Sequence, residues 1–194
     1  MLELNEDLFI GAGKRRRCYR HPDDPEKCIK IGVSGGKKGR DMQTGRERKY
    51  YRLYTKRGCS LKHLSPCYGM EDSNMGPGAV FGIIHNPDGE ISATLGSFIL
   101  GGMLIKDFEE ELRELREYMF KEGIICSDFN HGNILVQNQS DGSRRLMIID
   151  GLGNSDLIKV ADYYKPFRDK KLERKWARLL WRLGTFEEKA RNKT

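Results

Sequence analysis

The strongest constraint on this chain is an ordered set of polar residues set around two short apolar runs. The segment Cys126-Ser127-Asp128-Phe129-Asn130-His131-Gly132-Asn133-Ile134-Leu135-Val136 is followed by Leu146-Met147-Ile148-Ile149-Asp150-Gly151. An aspartate, an asparagine five places later, an apolar strand and a second apolar strand ending in Asp-Gly are the parts that hold a metal-nucleotide complex. Asp128 is spaced to orient an attacking hydroxyl and take its proton. Asn133 and Asp150 offer hard oxygen ligands of the kind Mg²⁺ prefers. Either residue alone is an ordinary turn former. Order and spacing together point to phosphoryl transfer.

The rest of the chain divides into elements that would frame such a site. Leu8 to Cys18 reads as strand, turn and return strand, with Gly11 and Gly13 in the turn and Asp23-Asp24-Pro25-Glu26 as the next turn. Glycines there let a backbone approach phosphates, although a third glycine is missing and an ordinary hairpin explains the pair as well. Cys28-Ile29-Lys30-Ile31 is a strand that sends one cation inward. Thr44 to Lys56 is a helix whose single acid, Glu47, stands among Arg46, Arg48, Lys49, Arg52 and Lys56. Ala79 to Ile84 forms a buried strand, and His85-Asn86-Pro87-Asp88-Gly89 a turn. Lys106 to Glu122 is a helix with Ile105, Phe108, Leu112, Leu115 and Met119 on one face, Asp107 and Glu110 as a capping pair and Gly123 as its stop. In the last helix Leu172, Trp176, Leu179, Leu180 and Leu183 oppose Arg174, Lys175, Arg178 and Arg182, with Trp181 off the stripe. Packing across the preceding helices is expected of it, with a membrane-surface contact as the alternative.

The core Ser127-Asp128 through Asn133-Ile134-Leu135-Val136, with the Ile149-Asp150-Gly151-Leu152-Gly153 that follows, resembles the catalytic and metal-binding loops of the protein kinase-like superfamily. Within it the whole chain looks like the PhoP regulatory network protein family of YrbL-like proteins. The resemblance implies an α+β, two-lobed kinase-like fold in one domain: a β-rich N-lobe over about 1–84, a hinge over about 85–89 and a short, mostly helical C-lobe over about 90–194. It further implies ATP and Mg²⁺ as cofactors. Lys30 would hold the phosphates and Glu47 would hold Lys30. Asp128 would be the base, Asn133 and Asp150 the metal ligands, Gly11 and Gly13 the phosphate loop, and Ile84 with His85 the place that receives the nucleotide base. Cys126 and Ser127 stand where many kinases have His-Arg, no Phe follows Asp150, and roughly forty residues remain after Gly153. That leaves no room for a peptide-binding helical subdomain. A small or glycolipid-type hydroxyl is therefore the expected acceptor, and a non-catalytic kinase-like regulator the rival.

Composition bounds the partners. With 194 residues, 32% of them charged, the chain suits one domain with a substantial core. Leu95 to Ile105, broken by glycines, is too short to span a bilayer, and Glu3, Glu6 and Asp7 stand where a leader would be basic, so a cytoplasmic location is expected. Five cysteines without a Cys-x-x-Cys pair fit a reducing compartment. A net charge of +7, with basic stretches at Lys14 to Arg17 and Lys37 to Arg57, attracts an anionic partner: nucleotide, acidic lipid or phosphorylated sugar. No helix-turn-helix, zinc-finger or RNA-recognition signature supports nucleic acid.

Overall fold

The computed structural model describes residues 1–13, 15–33 and 42–192. Lys14 of the first basic stretch and residues 37–41 at the start of the second lie outside the described residues. The rest is the expected α+β arrangement. Strands β1 (Phe9–Ala12), β2 (Arg16–His21), β3 (Asp24–Gly32), β4 (Cys67–Ser73) and β5 (Gly76–Gly82) form a five-stranded antiparallel sheet in the order β1-β2-β3-β5-β4. Helix α1 (Met42–Lys56) lies between β3 and β4 in the chain. Helices α2 (Leu95–Leu100), α3 (Glu109–Glu122), α4 (Val160–Tyr163) and α5 (Lys165–Arg191) surround a second antiparallel pair, β6 (Ile134–Asn138) and β7 (Arg144–Ile148).

Period-two alternation decides what the large sheet offers to each side. Tyr19, Ile29, Ile31 and Val80 face one way and pack under Leu2, Leu4 and Leu8. The opposite residues of β2 and β3, among them Arg16, Cys18, Cys28 and Lys30, face the helical part and line a cleft. The N-terminal segment stays over its apolar patch because the Leu2 amide donates to the Asp72 carbonyl (2.8 Å) and Asn74 brackets Leu4 through both its amide atoms (3.0 Å each). The turn expected at residues 23–26 sits one step earlier, at Pro22-Asp23, because Asp24 already pairs with His21. Strand β4 carries no periodic signal in its sequence: it is an edge strand with Glu71 and Asp72 in solvent.

The larger core joins the sheet to the helices. Tyr50, Tyr51 and Tyr54 of α1, Phe81 of β5, Leu112, Leu115 and Met119 of α3, and Leu172, Trp176, Leu179 and Leu183 of α5 belong to one buried cluster. At roughly 1.5–3 kcal/mol for each large apolar side chain removed from water, the α5 stripe is a principal source of its docking energy. Leu180, expected in that stripe, is 43% exposed and Trp181 68%. Among the described residues no helix is long and apolar enough to cross a membrane. Helix α3 begins at Glu109, after a 3₁₀ turn over Ile105–Phe108. Asp107 therefore caps through that turn, accepting from the Leu104 amide at 2.8 Å, while Glu110 turns outward to Arg113. Gly123 ends the helix in the left-handed region (φ 69°), as expected.

A buried polar network ties α1 to the C-terminal helices. Tyr50 donates its hydroxyl to Asp162, whose other oxygen accepts from Asn154 (3.0 Å), and Lys171 donates to Asn154 (2.7 Å). Gly153 is required beside it, since its φ is +101° and a Cβ there would lie 2.3 Å from the Tyr50 ring.

Candidate functional site

The two loops of the sequence motif are stitched together by backbone. Ser127 donates to the Gly151 carbonyl through both its amide (2.7 Å) and its hydroxyl (2.9 Å), and the Ile149 amide donates to the Asn133 carbonyl (3.1 Å). Gly151 adopts φ +78°, and a Cβ on it would press to 2.8 Å from the Asp128 carbonyl oxygen. Only glycine lets residue 151 lie this close to the Asp128 backbone. Asn133 donates its amide to the Asp128 carbonyl (2.9 Å), which leaves its own Oδ1 as an acceptor on the cleft that Asp150 also lines. Cys126 is fully buried behind this junction, where burial pushes its thiol above the ordinary range, so it is a packing residue and not a nucleophile.

The Asp128 side chain is 60% exposed. Its contacts are the Asn130 amide at 3.1 Å and the Arg182 guanidinium at 3.6 Å. The loop that carries it is held from α5: Lys175 donates to the Ser127 carbonyl (2.6 Å), Arg182 donates to the Phe129 carbonyl (3.0 Å), and Phe186 stacks on His131 at 3.7 Å between ring centroids.

Asp150 is held quite differently. Arg16, at the start of β2, is buried and donates to both oxygens of Glu47 (2.7 and 3.1 Å) and to Asp150 Oδ1 (2.5 Å). Gln43 also donates to Asp150, and the Gly151 amide donates to Glu47 Oε1 (2.8 Å). Burial pushes Glu47 up, and the neighbouring Asp150 adds to that against the pull of Arg16, bringing it to about 7. Burial also opposes ionisation of Asp150, but the Glu47 hydrogen bond, Lys30 and Arg16 outweigh it and hold that carboxyl well below the usual range. The single buried guanidinium thus serves two carboxyl groups, and burial and charge push them in opposite directions, Glu47 up and Asp150 down.

Lys30 does not pair with Glu47. Its ammonium donates to the Ile149 carbonyl (2.6 Å) and lies 4.5 Å from the Phe81 ring centroid, with no ion pair among the described residues. The expectation of one inward acid on the basic α1 holds, since Glu47 is 1% exposed; its partner is corrected to Arg16. The run from Lys14 to Arg17 conceals this, because only the alternation of β2 tells that Arg16 faces the cleft while Arg17 lies over Phe9 and Tyr19 on the other face. Gln43, Lys175 and Arg182 had no sequence signal beyond their helix positions.

The remaining candidates divide. Gly11, Gly13, Lys30, Ile84, Asp128, Asn133 and Asp150 all line a single cleft of about 1320 Å³ between the sheet and the helical part. Ile84 with Leu135 and Met147 makes a small apolar cluster at its edge, against which Ile149 packs. His85 does not line the cleft: its ring faces Glu26 (3.2 Å) and its carbonyl accepts from Gln137 (3.0 Å). Gly11 lies within β1, paired with Cys18, and not in the turn as expected, which leaves Gly13 there; neither has positive φ, and a Cβ on Gly11 would meet nothing within 4 Å. Chain packing therefore does not require glycine at position 11.

Known proteins are similar to this chain to different degrees. A solved structure, the kinase domain of Mycobacterium tuberculosis PknI in a doubly substituted form, superposes with a TM-score of 0.46 at 11% identity. That match covers 74% of this chain and 56% of that one, so the chain spans little more than half the length of the kinase domain. The uncharacterized protein YrbL of Escherichia coli (strain K12) is 31% identical over 183 residues, covering 93% of this chain and 87% of the relative, and YrbL of Shigella flexneri matches to the same extent. The family model described as PhoP regulatory network protein YrbL matches residues 2–184. The chain belongs to the PhoP regulatory network protein YrbL family.

Proposed function

We propose that this protein binds ATP with Mg²⁺ in the cleft and transfers the γ-phosphoryl group to a hydroxyl acceptor. The observation that carries the proposal is the convergence of Lys30, Asp128, Asn133 and Asp150 on one cleft, with their loops hydrogen-bonded to each other. The residues fit the two cofactors. Mg²⁺ bound through nucleotide phosphates keeps waters and needs one or two protein oxygens, which Asp150 and the free Oδ1 of Asn133 supply. The open space over Gly11 suits a phosphate approached by backbone, and Ile84, Leu135 and Ile149 offer apolar contact to a base. When bound, the metal-nucleotide complex would supply the activated phosphoryl group. Lys30 would orient its phosphates, and Asp128, exposed and with both of its side-chain contacts on Oδ1, would accept the proton of the acceptor hydroxyl. Arg16 would keep Asp150 ionised and oriented and would share or release one of its oxygens as metal arrives. A cytoplasmic location belongs to the same proposal.

One observation favours a second reading. Arg16 already neutralises Asp150 at 2.5 Å, as suits a kinase-like regulator that does no chemistry and meets an anionic partner through its basic surface. Calorimetry of ATP with and without Mg²⁺, on wild type and Asp150→Ala, separates the two. Metal-dependent binding lost in the variant is expected; no binding under either condition would sink the enzyme reading in favour of the regulator.

A further inference from the structure

The cleft has a second wall that the nucleotide chemistry does not use. Trp181, Arg182, Thr185, Phe186 and Lys189 of α5 recur at helical spacing and line the cleft beside Asp128. None of the α5 residues that line the cleft is a carboxylate: Glu187 turns away to the Ile105 amide (3.2 Å) and to Arg191, and Glu188, beside Trp181 on the helix, is exposed and does not line the cleft. Arg182 spends one donor on the Phe129 carbonyl and approaches Asp128 Oδ1 only to 3.6 Å, leaving most of its five N–H groups undirected. Lys189 has no hydrogen bond or ion pair among the described residues, and the exposed Trp181 ring stands next to them. On the opposite side of the cleft Arg46 is half-buried with an Nε that has no partner. Lys189 and the Arg46 Nε, without partners among the described residues, and an Arg182 with donors to spare make this part of the cleft attractive to an anion.

We propose that the α5 wall is the acceptor subsite and that it selects a hydroxyl compound bearing its own phosphate, held by Arg182 and Lys189 with its body against Trp181. The proposal rests on the phosphotransferase reading. Arg182 is then the specificity residue, since it reaches both the anion position and the loop of the base. In the transfer, the acceptor oxygen gives its proton to the Asp128 carboxylate and forms a bond to the γ-phosphorus as the bond from that phosphorus to the β–γ bridging oxygen breaks. ADP leaves with that electron pair, and the proton passes to solvent.

The test uses the full chain saturated with a non-hydrolysable ATP analogue and Mg²⁺. Calorimetric probes are inorganic phosphate, glucose 6-phosphate and glucose, with flotation on phosphatidylglycerol and phosphatidylcholine vesicles in parallel. Phosphate and glucose 6-phosphate should bind and glucose should not, and Arg182→Gln and Lys189→Glu should each weaken binding by about tenfold or more, the weight of a charge-assisted hydrogen bond. Lys170→Glu, on an exposed part of the same helix, should leave it unchanged, and circular dichroism checks that each variant is folded. Binding to phosphatidylglycerol alone, lost in the same variants, would assign the phosphate to a lipid headgroup; binding to the soluble probes assigns it to a free metabolite. Equal binding of glucose and glucose 6-phosphate, or insensitivity to both charge changes, overturns the subsite while leaving the nucleotide site standing. If the ATP analogue itself fails to bind wild type, the phosphotransferase reading falls and takes the subsite with it.

Discussion

Asp128 and Asp150 sit on loops hydrogen-bonded to each other, yet their environments are opposite. The Asp150 side chain is 22% exposed and fixed by a buried guanidinium and a glutamine, whereas Asp128 is 60% exposed, its side chain meeting only the Asn130 amide and a 3.6 Å guanidinium while its loop is held through backbone carbonyls. A charge that must stay ionised where little water reaches needs charged partners. A group that exchanges protons with an acceptor needs access and a stationary loop more than it needs an ion pair. The difference explains why the strong electrostatics of this site lie away from the proposed base.

The largest expected effect tests the division of labour itself. Asp128→Ala should lower transfer by about 10²–10⁴-fold, the usual worth of a general base, with ATP binding nearly intact, and Asp150→Ala should abolish the Mg²⁺-dependent part of ATP binding. Calorimetry and turnover on the same preparations check both; loss of ATP binding in a folded Asp128→Ala would reverse the roles. Next in size, Arg16→Ala leaves two carboxylates without their cation and should cost about 3–5 kcal/mol in urea denaturation, as expected for breaking a buried pair. The solvent-exposed Arg113 on α3 provides the contrast, and its removal should be indistinguishable from wild type. A smaller loss, about 1–3 kcal/mol, is expected for Tyr50→Phe, which strips a donor from buried Asp162 without opening a cavity. Similar stabilities for Tyr50→Phe and wild type would remove this network from the reasons α1 stays docked.

The weakest effect is a pH dependence that arises at a residue outside the cleft lining. His63 is buried, its Nδ1 2.7 Å from the Leu146 carbonyl, and it faces Glu114 (3.4 Å), Tyr118, Lys62 and Arg145. Burial lowers its pKa below the ordinary value of 6.5 despite the hydrogen bond to Leu146 and the charge of Glu114. The unfolded chain therefore binds the proton more readily, and stability held above about pH 6.5 should be lost as pH falls through that value. Thermal melts of wild type and His63→Gln between pH 8 and 5 should diverge in slope, the variant being flatter; parallel curves would mean that His63 is not the group responsible.

Much of this was legible in the chain. The spacing from Asp128 to Asn133 and on to Asp150, the inward Lys30, the lone acid Glu47 and the α5 stripe were all readable because each depends on local order: a strand alternates, a helix repeats and a glycine stops it. Edge strand β4 was not, because only Ser73 of its seven residues is buried and so it has no apolar face to alternate. Nor was the partner of Glu47, because several cations of similar type compete for it, and the choice depends on which face of β2 turns to α1. Residue order alone specifies the kinds of element, the motif and the sign of the charge around it. Assembly of the sheet against the helices settles that Arg16 and not Lys30 meets Glu47, that His85 leaves the cleft, and that Arg182 arrives beside Asp128, since these depend on distances between segments remote in the chain, which no local pattern encodes.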